Sequence, residues 1–268
     1  MDYILYLSVG ALAGLLSGLF GLGGGIIIVP ALILVFTAQD LPLEIITHLA
    51  IGTSLATIVV TSVASTFTHH QKGSVLWGIT RWLIPGLLLG SILGGILAAL
   101  LSGSDLQLLF GILMIVVAVQ LLVSSPESAE KNVGKFHLSI AGIFIGTLSS
   151  LLGIGGGTLT TPFLSSIGTR IRKAVATSAA CGLPIAIAGS ATYLISGLSS
   201  QLLPQGSLGY IFMPAWLGIV LTSIPFSRIG ALLAHRINEH RLKQIFAGII
   251  LILGVRFIWL NALVTLGN

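Results

Sequence analysis

One motif occurs twice in this chain, and it constrains the fold more than any other feature. Gly21-Leu22-Gly23-Gly24-Gly25 is followed by Pro30, and Gly153-Ile154-Gly155-Gly156-Gly157 is followed at the same distance by Pro162. With Gly14–Leu32 laid on Gly146–Leu164, ten of nineteen positions are identical. A fixed internal period is a fold-level signal and precedes any local reading. Each copy is an apolar stretch broken by glycines. In membrane proteins, paired interruptions of this kind point to a binding site between two halves.

Composition supplies the membrane. Of 268 residues, 55% are hydrophobic and 7% charged, with a mean hydropathy of +1.08. Soluble domains carry about 25% charged residues; twelve Lys and Arg with seven Asp and Glu cannot cover a soluble surface of this size. The chain is therefore expected to be an all-α polytopic membrane protein. Its net charge of +5 reports where basic residues sit relative to the bilayer, not affinity for nucleic acid. The single Cys181 allows neither an intrachain disulfide nor a thiolate metal site, and three methionines argue against a copper path. Asp2 stands where a signal peptide would be basic, so residues 3–22 are expected to be retained. No cofactor, metal or enzymatic chemistry is expected. The expected partners are a small anion and the lipid bilayer, with homodimerisation left open.

The apolar segments fall into two matched sets. The first comprises residues 3–22, 24–36, 45–68, 76–101 and 106–123; the second, 137–152, 156–167, 174–195, 210–227 and 242–260. Residues 1–123 and 137–268 then form two repeats joined by the charged linker 124–136, each a glycine-broken helical hairpin plus three spanning helices. Ala50-Ile51-Gly52-Thr53-Ser54 matches Ala174-Val175-Ala176-Thr177-Ser178. Further on, Pro85 is matched to Pro214 and Phe110 to Phe246. Residues 197–209 read as an uncharged Gly/Ser loop.

Basic residues choose between two topologies. If each broken pair counts as one crossing, the halves are parallel and the basic loops are split between the two sides. If each broken pair returns to its own side, the halves are inverted. Eleven of the twelve Lys and Arg then share one side, with only Arg256 left out. Positive residues gather in the cytoplasm, so the inverted arrangement is expected, with both termini outside. Two full crossings and a hairpin meeting at mid-depth both remain open for each broken pair.

The breaks have a chemistry of their own. Irregular backbone is tolerated in hydrocarbon only where it is buried in protein or lines a wet cavity. Gly23, Gly24 and Gly25, like Gly155, Gly156 and Gly157, expose backbone N–H groups just before a helix begins. The first turn of that helix has unpaired N–H groups and the positive end of the macrodipole. This is an anion site without a charged side chain. The alternative is that the glycines serve close helix packing; the duplication at a fixed distance from Pro30 and Pro162 favours a site.

The two copies differ in hydroxyl content. The first continues Ile26-Ile27-Ile28-Val29, the second Thr158-Leu159-Thr160-Thr161. Thr158 and Thr161 can add donors beside the backbone, or bond back to their own helix carbonyls. Thr53, Ser54, Thr177 and Ser178 can complete an oxygen-binding cage, or make interhelical hydrogen bonds. Ser17 and Ser149, four residues before the breaks, carry the same two readings. His69 and His70 read as interfacial, and His48 as a vestibule residue whose repeat equivalent is Arg172. All seven carboxylates fall in loops or at segment ends, so the buried acids common in proton-coupled carriers are missing and passive or potential-driven export fits.

These residues carry a resemblance. The two stretches that begin at Gly14 and Gly146 and end at Pro30 and Pro162 resemble the sulfite exporter TauE/SafE family of membrane permeases. So do Ala174-Val175-Ala176-Thr177-Ser178 and the stretch 228–236. The resemblance covers nearly the whole chain and implies a bacterial inner-membrane permease exporting a small sulfur oxyanion or organosulfonate. It carries the motif onto Gly23, Gly24, Gly25, Pro30, Gly155, Gly156, Gly157 and Pro162. A permease for another small solute, or a non-transport scaffold or assembly factor, is the alternative.

Overall fold

The computed structural model describes residues 2–20, 24–123, 133–234 and 239–266; Gly23 and most of the expected linker lie outside them. Ten helices follow in order: α1 (Asp2–Phe20), α2 (Gly25–Ala38), α3 (Leu43–Gln71), α4 (Trp77–Leu100), α5 (Gly103–Val123), α6 (Lys135–Leu152), α7 (Gly157–Ser166), α8 (Ile171–Gly197), α9 (Met213–Ala234) and α10 (Glu239–Leu266). Helix is the expected answer, because in hydrocarbon each segment must satisfy its own backbone N–H and C=O groups. Among the described residues, α3, α4, α5, α6 and α8 are long and apolar enough to cross a membrane. The all-helical expectation needs one correction. The segment before α9 folds as a hairpin of two short antiparallel strands, β1 (Ser207–Leu208) and β2 (Ile211–Phe212). Its turn has Gly209 at φ 54°, which an L side chain disfavours, so α9 starts three residues later than the hydropathy suggests.

The broken pairs are hairpins. Tyr6 Oη donates to Gln39 Oε1 at 2.9 Å, while Gly24 lies beside Ala13 and Ser17. α2 therefore runs back along α1. In the second copy, Phe144, Ile145 and Leu148 of α6 line one groove with Leu159, Pro162 and Phe163 of α7. With 14 and 10 residues, α2 and α7 are roughly 21 and 15 Å long, short of the ~30 Å hydrocarbon core.

Helix pairing obeys an exchange of halves. α1 packs most extensively on α9, and its repeat equivalent α6 on α4; α3 pairs with α8, and α5 with α10. Small residues make the first two contacts close. Gly86, Gly90 and Gly94 of α4 meet the carbonyls of Ser139, Ile143 and Thr147, while Gly10 and Gly14 of α1 meet those of Ile219 and Ser223. One glycine per turn lets two backbones touch. In both contacts the residue numbers rise together, so the helices are parallel. α3 and α8 are antiparallel: Gly52 lies beside Tyr193, Leu55 beside Gly189, and Ser62 beside Gly182. α5 and α10 are antiparallel too, with Gly111 against Ile258 and Phe257, and Ile115 against Gly254.

The same contacts correct one match. Thr53 Oγ1 accepts the Phe212 N–H at 2.9 Å, and its equivalent Thr177 Oγ1 accepts the Leu76 N–H at 3.0 Å. Leu76 thus corresponds to Phe212, with the same separation as Phe110 and Phe246. In that register Pro85, inside α4, corresponds to Leu221, not to Pro214 in the first turn of α9. Proline identity misled the alignment because the intervening loops differ in length.

Helix directions also place the charges. Arg81 and Lys135 both lie against the Trp82 ring, 5.7 and 5.0 Å from its centroid. The bond from Leu76 to Thr177 ties the start of α8, with Arg170, Arg172 and Lys173, to the same end. α9 runs towards that end and reaches it near Arg228. This is the basic end of the bundle. α1 starts at, and α10 runs towards, the opposite one.

Candidate functional site

The two glycine breaks meet. A Cβ placed on Gly25 would stand 2.6 Å from the Gly153 carbonyl oxygen and 2.7 Å from that of Ile154. Ser54 Oγ donates to the same Gly153 oxygen at 2.8 Å. Ser54 and Ile58 lie near the middle of the 29-residue α3, and Gly182 near the middle of α8, so the meeting point is halfway along the bundle. Gly24, Gly153 and Gly155 have φ of 77°, 68° and 73°, a backbone region that costs an L residue about 1–2 kcal/mol.

A cavity of about 50 Å³ opens at the second break. It is lined by Ser17, Ile58, Thr61, Ser62, Ser65, Gly156, Gly157, Ser178, Ala179 and Gly182. No charged side chain lines it. Its wall includes the start of α7, where Thr160 N–H is the first to find a partner in its own chain, the Gly156 carbonyl at 2.9 Å. The N–H groups before it are those that a helix start leaves unpaired. Ser17, Ser62 and Ser65 make no hydrogen bond to the described residues, so their hydroxyls are free to donate into the cavity. Small donors of this kind suit an oxyanion, whose oxygens need several hydrogen bonds once stripped of water.

The residues singled out from sequence divide into groups. Gly156, Gly157, Ser178 and Ser17 line the cavity. Thr161 stands behind it, its Oγ1 2.8 Å from Ser178 Oγ, which also donates to the Val175 carbonyl at 3.1 Å. Thr158 is buried and its hydroxyl has no partner. Thr53 and Thr177 hold the two symmetric backbone bonds described above. Gly24, Gly25, Gly155 and Pro30 are buried around the break, and Pro162 sits on the groove between α6 and α7. Thr61, Ser62, Ser65 and Gly182 are the additions. Their signal was present: Ile58, Thr61, Ser62 and Ser65 are spaced three and four apart, on one face of a helix, and Gly182 lies one turn after Ser178.

The histidines need one correction. His48 is not in a vestibule. It is buried, with Nε2 3.0 Å from the Ala98 carbonyl and its ring against Tyr210 at 5.1 Å, because the β-hairpin folds over this end of α3. His70 is exposed and its Nδ1 accepts the Trp77 indole N–H at 3.1 Å. Arg256 is exposed on α10 and takes no part in the cavity.

A helical bundle of this length, with paired broken helices around a buried polar cavity, defines a multi-pass membrane protein of the transporter class. The chain belongs to the sulfite exporter TauE/SafE family, whose match spans residues 6–257. It is similar to a probable membrane transporter protein of Haemophilus influenzae, 37% identical over 94% of this chain and 96% of that one. One of Xylella fastidiosa is 38% identical over 93% and 92%, and one of Methanocaldococcus jannaschii is 28% identical over 94% and 93%. No solved structure matches the chain. The protein is thus a membrane transporter and not an enzyme.

Proposed function

We propose that the protein exports a small anion, a sulfur oxyanion or organosulfonate such as sulfite, bound at mid-membrane between the two broken helices. The observation that carries this reading is the 50 Å³ cavity at the start of α7. It offers hydroxyls and backbone N–H groups, no formal charge, and no carboxylate to repel an anion. The family description, a sulfite exporter, points the same way. The test is flux into proteoliposomes under an imposed potential, comparing sulfite, thiosulfate, sulfonates, sulfate and chloride. A monovalent anion leaving a negative interior gains about 2.3 kcal/mol per 100 mV. Sulfite or sulfonate efflux should therefore rise with that potential. Efflux of none of these anions would sink the proposal.

The halves are read as inverted repeats in a bacterial inner membrane. Equivalent helices α3 and α8, and α5 and α10, run antiparallel, as an axis in the membrane plane requires; parallel repeats would set them parallel. The basic end is taken as cytoplasmic, with both termini outside. Gln71, the last residue of α3, and Gln205, between α8 and α9, are both exposed, and the native Cys181 is buried. Cysteine at position 205 should react with an impermeant thiol reagent in intact cells, and cysteine at position 71 only after lysis. Labelling of both from one side would mean parallel repeats.

A further inference from the structure

The cavity is one-sided, although the scaffold around it is two-sided. The register set by Thr53 and Thr177 carries Ile58, Thr61, Ser62 and Ser65 of α3 onto Gly182, Ile185, Ala186 and Gly189 of α8. The motif register carries Ser17 onto Ser149 and Gly156 and Gly157 onto Gly24 and Gly25. Exchanging the halves therefore maps the cavity onto a second region at the first break. That region is closed here. Leu55, Ile185 and Ala186 are fully buried, and Gly25 is pressed against the Gly153 and Ile154 carbonyls.

Two hydroxyls do not fit a permanently closed region. Ser149 and Ser150 are fully buried, and neither Oγ has a hydrogen-bond partner. Ser150 Oγ lies 2.7 Å from where a Cβ on Gly189 would stand, so it points into the space equivalent to the open cavity. Buried hydroxyls are nearly always paired, and an exception calls for an explanation. Helix interiors offer serine a carbonyl one turn back, yet neither Ser149 nor Ser150 uses it.

Resting on the transport reading above, we infer that Ser149 and Ser150 form a second oxyanion half-site, used when the transporter opens away from the basic end. Opening that side separates the first break from Gly153 and Ile154 and gives both hydroxyls a ligand. The two half-sites are unequal. Ser62 and Ser65 give the open cavity two unpartnered hydroxyls, Thr61 Oγ1 being bonded back to the Thr57 and Ile58 carbonyls at 3.3 Å, whereas Ala186 and Gly189 give its counterpart none. Binding is then tighter from the basic end and release easier at the other, which suits export.

The experiment measures KM for sulfite from each side of oriented proteoliposomes. The wild type should show the lower KM from the basic end. Ser149→Ala with Ser150→Ala should raise KM from the opposite side by about tenfold, the effect of losing donors to a charged ligand, with a much smaller change from the basic end. Ser62→Ala with Ser65→Ala should show the reverse pattern. Because the two alanines remove only unpartnered hydroxyls, the melting temperature of the Ser149→Ala/Ser150→Ala protein should not fall. Equal shifts on both sides, or no shift on either, would overturn the half-site while leaving sulfite transport intact. A wild type that moves no sulfite would overturn the transport reading itself.

Discussion

Gly182→Ala is expected to weaken transport strongly in a protein that folds as well as the wild type. A Cβ at position 182 would stand 3.0 Å from Ser62 Oγ and 3.5 Å from Gly156 N, so the new methyl enters the cavity, is tight only against the free end of a side chain, and meets backbone at ordinary van der Waals distance. Within α8, alanine favours helix over glycine by about 1 kcal/mol, so stability should hold or rise. The cavity holds about 50 Å³, and a methyl group displaces a large part of it. Overfilling a tight site typically costs about 1–3 kcal/mol, which as lost affinity is roughly 5- to 150-fold. Efflux and melting temperature measured on the same preparation separate the two effects. Wild-type efflux from Gly182→Ala would place the substrate elsewhere.

Gly156→Val should fail differently, losing transport and stability together. Its added Cβ would stand 2.8 Å from Gly182 N and 3.0 Å from both Gly182 Cα and the Ser178 carbonyl. These are backbone atoms of α8, which cannot swing aside. The break would have to move away from α8, opening the packing of α7 on it, at a cost of about 1–3 kcal/mol or more. The motif alone suggests that this substitution would block the ligand and leave the fold intact; the contact with α8 says otherwise. A melting temperature several degrees below the wild type, of the order expected for 1 kcal/mol or more, is the expected reading. An unchanged melting temperature with lost efflux would mean that Gly156 touches the ligand and not α8.

Much of the architecture was legible in the chain because the membrane leaves few options. Residues 45–68 and 76–101 had to be helices once they were long and apolar, with Arg81 near one end the only Lys, Arg, Asp or Glu in either, since unsatisfied backbone is too expensive in hydrocarbon. The duplicated Gly-x-Gly-Gly-Gly with its proline announced two broken helices, and Gly25 against Gly153 is that pair in contact. Among the described residues, the all-helical reading missed only the β-hairpin before α9, where no hydropathy pattern distinguishes two short strands from a loop.

The class of protein, the duplicated motif and the position of the breaks were readable from the sequence, because hydropathy and glycine runs act locally and leave a local trace. What each hydroxyl does depends on how the helices pack. Thr53 and Thr177 look identical to Ser62 and Ser65 as small polar residues on apolar helices. The first pair is taken up by the Phe212 and Leu76 N–H groups, which belong to the opposite half; the second pair is left facing the cavity. A hydroxyl donates one hydrogen bond and accepts two, and which of these is already in use depends on partners that can be 159 residues away. That distance is also why the Pro85 match failed: register between the halves is held by hydrogen bonds across the bundle, and loop lengths in the sequence carry no record of them.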